Sequence, residues 1–401
     1  MALRQLAILL LTYVVFLTIL ATLSPFQFQL PKQLSLSLHV GGHDLALNLL
    51  LLFPAGFLLS LSRHPPSLHP LSLPPYQRYT SRAVHVLWAG ALLSGTLEGL
   101  QEFSPFRVTS LIDVTANACG AYLGALLFER LRPWLASSLN NELTIRLPLS
   151  HLFYLLTLLL LIDTLMAKNT PQRLWLAVPL ALSGAILISA IYTRRLRSQR
   201  RVGPLQIALA SGVWCGVVGL PGWIRAPEVA LWACSTTIAL SFVLCLIGFP
   251  NRHERRFELP TLVALALPMT LYFAGLFTAG QLPRIGRGGH NDQLVFDAIE
   301  TLAAFTALGY GVAEALGRQH LTDRKALALT GLLVALLSLI IEFAASSWFG
   351  LTPRSWVVPG AGMLSLWGAA IYRAELRVVQ TMGRARAALE SEACMPSKIS
   401  A

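Results

Sequence analysis

Seven polar side chains in the first third of the chain are spaced to share one pocket. Asp44 and Asn48 are four residues apart and lie on one face of any helix that holds them, as do Asp113 and Asn117. Glu98 and Gln101, three apart, share another face, and Arg107 stands between the last two pairs. A guanidinium meets a phosphate or carboxylate through parallel hydrogen bonds, and the amides of Asn48, Gln101 and Asn117 add neutral donors and acceptors. The same residues near helix ends can also cap helices or form a structural Arg–carboxylate network, which is a common frame for a polar pocket. Glu98 or Asp113 could instead act as a general base with His43 as the acid. No nucleophile motif, metal-spaced His or Cys, or phosphate-binding glycine loop accompanies them, so neither cofactor nor metal is expected and no catalytic residue is assigned. The five cysteines, Cys119, Cys215, Cys234, Cys245 and Cys394, are scattered without a pairing pattern.

The elements that must hold these groups are hydrophobic. Of 401 residues, 55% are apolar and 12% charged, with mean hydropathy +0.61. A soluble domain carries about 25% charged residues. The shortfall excludes an ordinary soluble enzyme and equally excludes disorder. Twelve apolar runs fall near 5–24, 44–62, 84–101, 108–128, 150–167, 173–193, 203–221, 227–249, 259–280, 294–316, 325–346 and 355–373. Each is about the length needed to cross ~30 Å of hydrocarbon. The pattern predicts an all-α, polytopic bundle of about twelve transmembrane helices, although the seventh and eighth runs could also form a re-entrant pair. The first run is too long for a signal-peptide core and is read as an uncleaved helix.

The cationic residues alternate. Of 31 Lys and Arg, 23 fall in one set of alternate connections and termini, and 8 in the other. By the positive-inside rule both termini are cytoplasmic, and the polar pairs sit at the extracytoplasmic ends of the second, third and fourth spans. The net charge of +12 then reads as a topology signal and an attraction for anionic lipid, with no nucleic-acid partner required.

The polar pairs belong to a longer pattern. Asp44-Leu45-Ala46-Leu47-Asn48 runs into Leu52-Phe53-Pro54-Ala55-Gly56-Phe57. Glu98-Gly99-Leu100-Gln101, Pro105-Phe106-Arg107 and Asp113-Val114-Thr115-Ala116-Asn117 follow, ending in Gly120-Ala121-Tyr122-Leu123-Gly124. Across residues 5–130 this resembles the VanZ-like family of small membrane proteins, whose namesake is associated with glycopeptide (teicoplanin) resistance. The resemblance implies a multi-pass cell-membrane protein of the envelope. Its expected partners are membrane lipids and an amphiphilic small molecule or lipid-linked envelope precursor.

The C-terminal third repeats the pattern in weaker form. Asp297-Ala298-Ile299-Glu300-Thr301, then Gly309-Tyr310, matches Asp44 through Phe57 at a constant offset of 253. Glu342 ends the eleventh run as Glu98 ends the third, Pro353-Arg354 stands for Phe106-Arg107, and Gly360, Gly362 and Gly368 follow. Thr301 replaces Asn48, Ala345 replaces Gln101, and nothing matches Asp113 or Asn117. The expectation is a degenerate parallel copy that keeps a structural frame of Asp297, Glu342 and Arg354. The resulting division is a VanZ-like four-helix unit at 1–135, a central transmembrane region at 145–256, the degenerate unit at 257–375 and a cytoplasmic tail at 376–401.

Three functions compete. An outward polar pocket that binds a lipid headgroup or amphiphile is preferred. A proton-coupled transporter built from parallel repeats is the alternative, opposed by polar groups lying near one surface rather than at the midplane. An enzyme acting on a lipid-linked substrate comes last, for want of a nucleophile.

Overall fold

The computed structural model describes residues 2–23, 28–29, 36–37, 42–65, 77–104, 109–139, 143–166, 174–198, 203–248, 258–279, 290–316, 322–349 and 357–393. Among these, twelve helices account for nearly everything: α1 (Ala2–Leu23), α2 (Gly42–Arg63), α3 (Gln77–Gln101), α4 (Leu111–Leu139), α5 (Leu143–Met166) and α6 (Leu174–Ser198). They continue with α7 (Pro204–Trp223), α8 (Pro227–Leu246), α9 (Glu258–Ala279), α10 (His290–Leu316), α11 (Asp323–Phe349) and α12 (Val357–Ala393). Two-residue strands β1 (Leu36–Ser37) and β2 (Thr109–Ser110) pair in parallel.

Every helix lies on one of the apolar runs in the sequence. In hydrocarbon no water satisfies a backbone N–H or C=O, and only a helix closes those bonds within one segment. Hydroxyls follow the same rule: Thr12, Thr18 and Thr96 each donate to the carbonyl four residues back in their own helix. Several helices outrun the apolar stretch that marks them. Gln77 opens α3 just after Pro74 and Pro75, seven residues before the apolar run, and α12 continues to Ala393 through charged sequence. Hydropathy marks where lipid begins, and a helix can continue beyond that point.

Among the described residues six helices are long and apolar enough to cross a membrane: α1, α3, α4, α6, α7 and α8. Shorter apolar stretches occur at Asn48–Arg63, His151–Thr164 and Val263–Gly275. Leu209, Val213, Val217 and Leu220 form a stripe along α7, and Val263, Leu267 and Leu271 form one along α9, each residue more than half exposed. Soluble proteins rarely leave such contiguous apolar surface uncovered, whereas against lipid it carries no penalty. This is a membrane-embedded helical protein.

The chain divides into two compact units, Met1–Ile145 with Ala374–Ala401, and Arg146–Arg373. In the first, α2 and α4 make the closest helix approach. A Cβ added at Gly120 would collide with the carbonyl oxygen of Leu49, one at Gly124 with that of Phe53, and one at Gly56 with that of Ala121. Membrane helices approach this closely only where small residues let backbone meet backbone. Phe57 and Phe128 close the crossing edge-to-face at 5.5 Å. In the second unit, α6 is the innermost helix: Ala177, Leu180, Ala181, Ala185, Leu187 and Ala190 are wholly buried among α7, α8 and α9. Trp214 on α7 donates to the Thr157 hydroxyl on α5 at 3.1 Å, and Ser241 on α8 donates to Ser211 on α7 at 2.9 Å.

Candidate functional site

The polar site lies where α1 and α3 end and α2 and α4 begin. Each helix terminus leaves backbone groups without an intrahelical partner, and the polar side chains answer some of them. Gln101, on the last residue of α3, donates through Nε2 to the carbonyl of Thr22 in the final turn of α1, at 2.8 Å. One oxygen of Glu98 accepts the backbone N–H of Ser110 at 3.0 Å, immediately before α4. Asp113 sits in the first turn of α4, where the helix dipole favours a negative charge. The connections are tied down as well: β1 pairs with β2, the Gln29 N–H donates to the Phe103 carbonyl at 2.6 Å, and Thr109 donates to Glu102.

Two further bonds cross between helices. Asn48 Nδ2 on α2 donates to Asp113 Oδ1 on α4 at 2.6 Å, and Asn117 Nδ2 on α4 donates to Ser94 Oγ on α3 at 3.0 Å. Glu98, Gln101 and Asn117 are each more than 90% buried. Asn117 Oδ1 is buried and has no hydrogen-bond partner among the described residues. Exchanging the amide's oxygen and nitrogen would let Ser94 donate instead, and would leave the NH₂ group open. In either assignment Asn117 keeps one unused hydrogen-bonding atom in a buried place, a position that costs about 1–3 kcal/mol if nothing fills it.

Of the seven residues read from the sequence, the structure brings Asn48, Glu98, Gln101, Asp113 and Asn117 together at one end of the unit. The backbone of Asp44 lies in the first turn of α2, but its side chain and that of His43 are outside the described residues, as is Arg107. So are the side chains of Asp297 and Glu342, and the whole of Arg354. Sequence reasoning missed Ser94, Ser110 and Thr22. Ser94 had a signal, since Ser94, Glu98 and Gln101 fall at i, i+4 and i+7 on one face of α3. Thr22 contributes only a carbonyl, which side-chain type cannot announce.

The VanZ/LLP1 family model matches residues 6–132. Residues 6–132 are a VanZ-like domain. The match contains all five residues that converge at the polar end, along with the glycines of the α2–α4 crossing. No curated protein and no solved structure matches the chain.

In the second unit a buried carboxyl takes part in a polar contact. Tyr272 on α9 donates to Glu300 Oε1 on α10 at 3.1 Å, with both residues almost completely buried. Glu300 is ten residues into α10, about 15 Å along the helix. Asp163 on α5 and Glu314 on α10 are buried too.

Proposed function

We propose that this is a multi-pass protein of the cell membrane with twelve spans and both termini cytoplasmic, whose VanZ-like domain binds an amphiphile at its extracytoplasmic end. The ligand class is a lipid headgroup, a lipid-linked envelope precursor or a glycopeptide-type molecule. Asn48, Glu98, Gln101, Asp113 and Asn117 line the site, with Asp44 and Arg107 completing it.

The observation that carries this reading is Asn117. Each amide spends a donor across a helix interface, and Asn117 in addition keeps a buried oxygen without a hydrogen-bond partner among the described residues. A ligand hydroxyl or ammonium would satisfy it. Sidedness is tested by an impermeant maleimide on Gln29→Cys and Pro65→Cys, both exposed positions at opposite ends of the unit. The two cysteines should label from opposite sides of the membrane, and labelling from one side overturns the topology. Binding is tested with a polyprenyl phosphate and with teicoplanin on nanodisc-embedded protein. Loss of one hydrogen bond in Asn117→Leu should weaken one of these ligands about tenfold. Unchanged binding of both refutes the site.

We also infer that residues 290–372 are a second copy of the VanZ-like helix arrangement. Support comes from matching close contacts: Gly309 against the Ser365 carbonyl and Gly368 against that of Thr306, with Tyr310 and Tyr372 edge-to-face at 5.5 Å. One observation favours the transport reading as the alternative. Glu300 is an almost fully buried carboxyl ten residues into α10, and ionisable groups buried within apolar helices tend to mark ion or proton paths. Proton uptake into proteoliposomes that vanished in Glu300→Gln would support it.

A further inference from the structure

A recess with a polar rim and a mostly apolar lining lies among α2, α3 and α4, at the end away from the amides. Its walls are Ser60 and Arg63 at the end of α2, His64 just beyond, His85 near the start of α3 and Glu129 late in α4, over an apolar floor that includes Ala125. It encloses about 50 Å³, whereas a single water needs only about 10–15 Å³. Ser60 is 12 residues from Asn48 along α2, and Glu129 is 12 residues from Asn117 along α4. At 1.5 Å per residue the two polar regions are about 18 Å apart, on opposite sides of the Gly56/Gly124 crossing.

The electrostatics of the recess are lopsided. Arg63 and two imidazoles face a single carboxylate, and that carboxylate already has a cation, because Arg132 Nη1 lies 3.6 Å from Glu129 Oε2. Arg63 makes no hydrogen bond or ion pair among the described residues. The Glu129–Arg132 pair is attractive but too long for a hydrogen bond. Both facing atoms are buried without a hydrogen-bond partner, on side chains only 7% and 14% exposed. The recess therefore offers an anion donors from Arg63, His85 and Ser60, with the Glu129 carboxylate in the same wall to face a donor next to that anion.

We propose that this recess binds the phosphodiester of a phospholipid whose headgroup carries a hydrogen-bond donor, from the leaflet that the Lys and Arg distribution marks as cytoplasmic. The phosphate would lie between Arg63 and His85, and a headgroup hydroxyl or ammonium against Glu129. This site is independent of the ligand proposed at the far end of the unit.

Phosphatidylglycerol supplies both features, whereas phosphatidylcholine lacks the donor. The full-length protein in nanodiscs of phosphatidylcholine with phosphatidylglycerol would be released and its retained lipid counted by native mass spectrometry. Phosphatidylglycerol should be enriched on the wild type. Arg63→Gln with His85→Gln should lower that enrichment about tenfold, the size expected for losing charge-assisted hydrogen bonds. Arg63→Lys should restore part of it, and Arg4→Gln, at an exposed cation of the same unit, should change nothing. Inorganic phosphate is the second arm: displacement of lipid at millimolar phosphate would support the oxyanion site and assign it to a soluble phosphate. Enrichment unchanged in the double variant, or lost equally in Arg4→Gln, would mean general attraction of anionic lipid to basic surface and would overturn the proposal.

Discussion

The α2–α4 pair of the VanZ-like domain and the α10–α12 pair of the second unit have the same crossing and different polar chemistry. Gly56, Phe53 and Phe57 correspond to Gly309, Thr306 and Tyr310 at an offset of 253, and Ala121, Gly124 and Phe128 to Ser365, Gly368 and Tyr372 at 244. A Cβ at Gly124 would lie 2.9 Å from Phe57 N, and one at Gly368 2.6 Å from Tyr310 N. The aromatic pairs match as well, both 5.5 Å apart with ring planes at 88° and 84°. At the second offset Asn117 becomes Ala361, Asp113 becomes Val357 and Ser94 becomes Ser338. Ser94 accepts across the helix interface from Asn117, whereas Ser338 turns back to donate to Val334 in its own helix. Small residues and an aromatic lock are thus enough to build the crossing. The amides and Asp113 are not needed for that close approach, although in the first unit the Asn48–Asp113 bond also ties α2 to α4, and the proposed ligand site rests on the buried atom of Asn117 that no such bond uses.

The largest expected effect breaks both crossings alike. Val at Gly124 or at Gly368 would force a side chain into backbone, an overpacking that costs about 3 kcal/mol or more. Thermal unfolding in detergent should fall steeply for both, and a tolerated Gly368→Val would end the equivalence of the two pairs. Next is Ser94→Ala, which strips Asn117 of its one observed partner and should cost about 1–3 kcal/mol for the unpaired buried amide. Replacing Phe57 or Tyr310 by Leu removes an edge-to-face contact worth about 0.5–1.5 kcal/mol beyond its buried area. The two losses should be similar, and a double-mutant cycle with Phe128 or Tyr372 isolates each. Ser338→Ala is the smallest, within about 0.5 kcal/mol, because it deletes only a bond to its own helix. A Ser338→Ala loss matching that of Ser94→Ala would erase the proposed distinction.

Much of this was legible in the sequence, because bilayer length and backbone satisfaction leave few alternatives to helices on apolar runs. The grouping of Asn48, Glu98, Gln101, Asp113 and Asn117 was legible too, since i, i+3 and i, i+4 spacing fixes a shared face. Which partner each would choose was not. Gln101 reaches a backbone carbonyl of α1, and Asn48 crosses to α4, and both depend on tertiary approach. Glu300 lies inside the repeated pattern but has no role in it, since Asp297 holds the position that matches Asp44. Its burial against Tyr272 depends on the tertiary approach of α9, which spacing along the chain does not announce.

The proposed ligand site is the amide-bearing end of the VanZ-like domain rather than the buried carboxyl of the second unit. Dissociation constants for one ligand, polyprenyl phosphate or teicoplanin, measured side by side on Asn117→Leu and Glu300→Gln test it most directly. The account predicts about tenfold weaker binding for Asn117→Leu and wild-type affinity for Glu300→Gln. Wild-type affinity in a folded Asn117→Leu, with binding lost in Glu300→Gln, would contradict it.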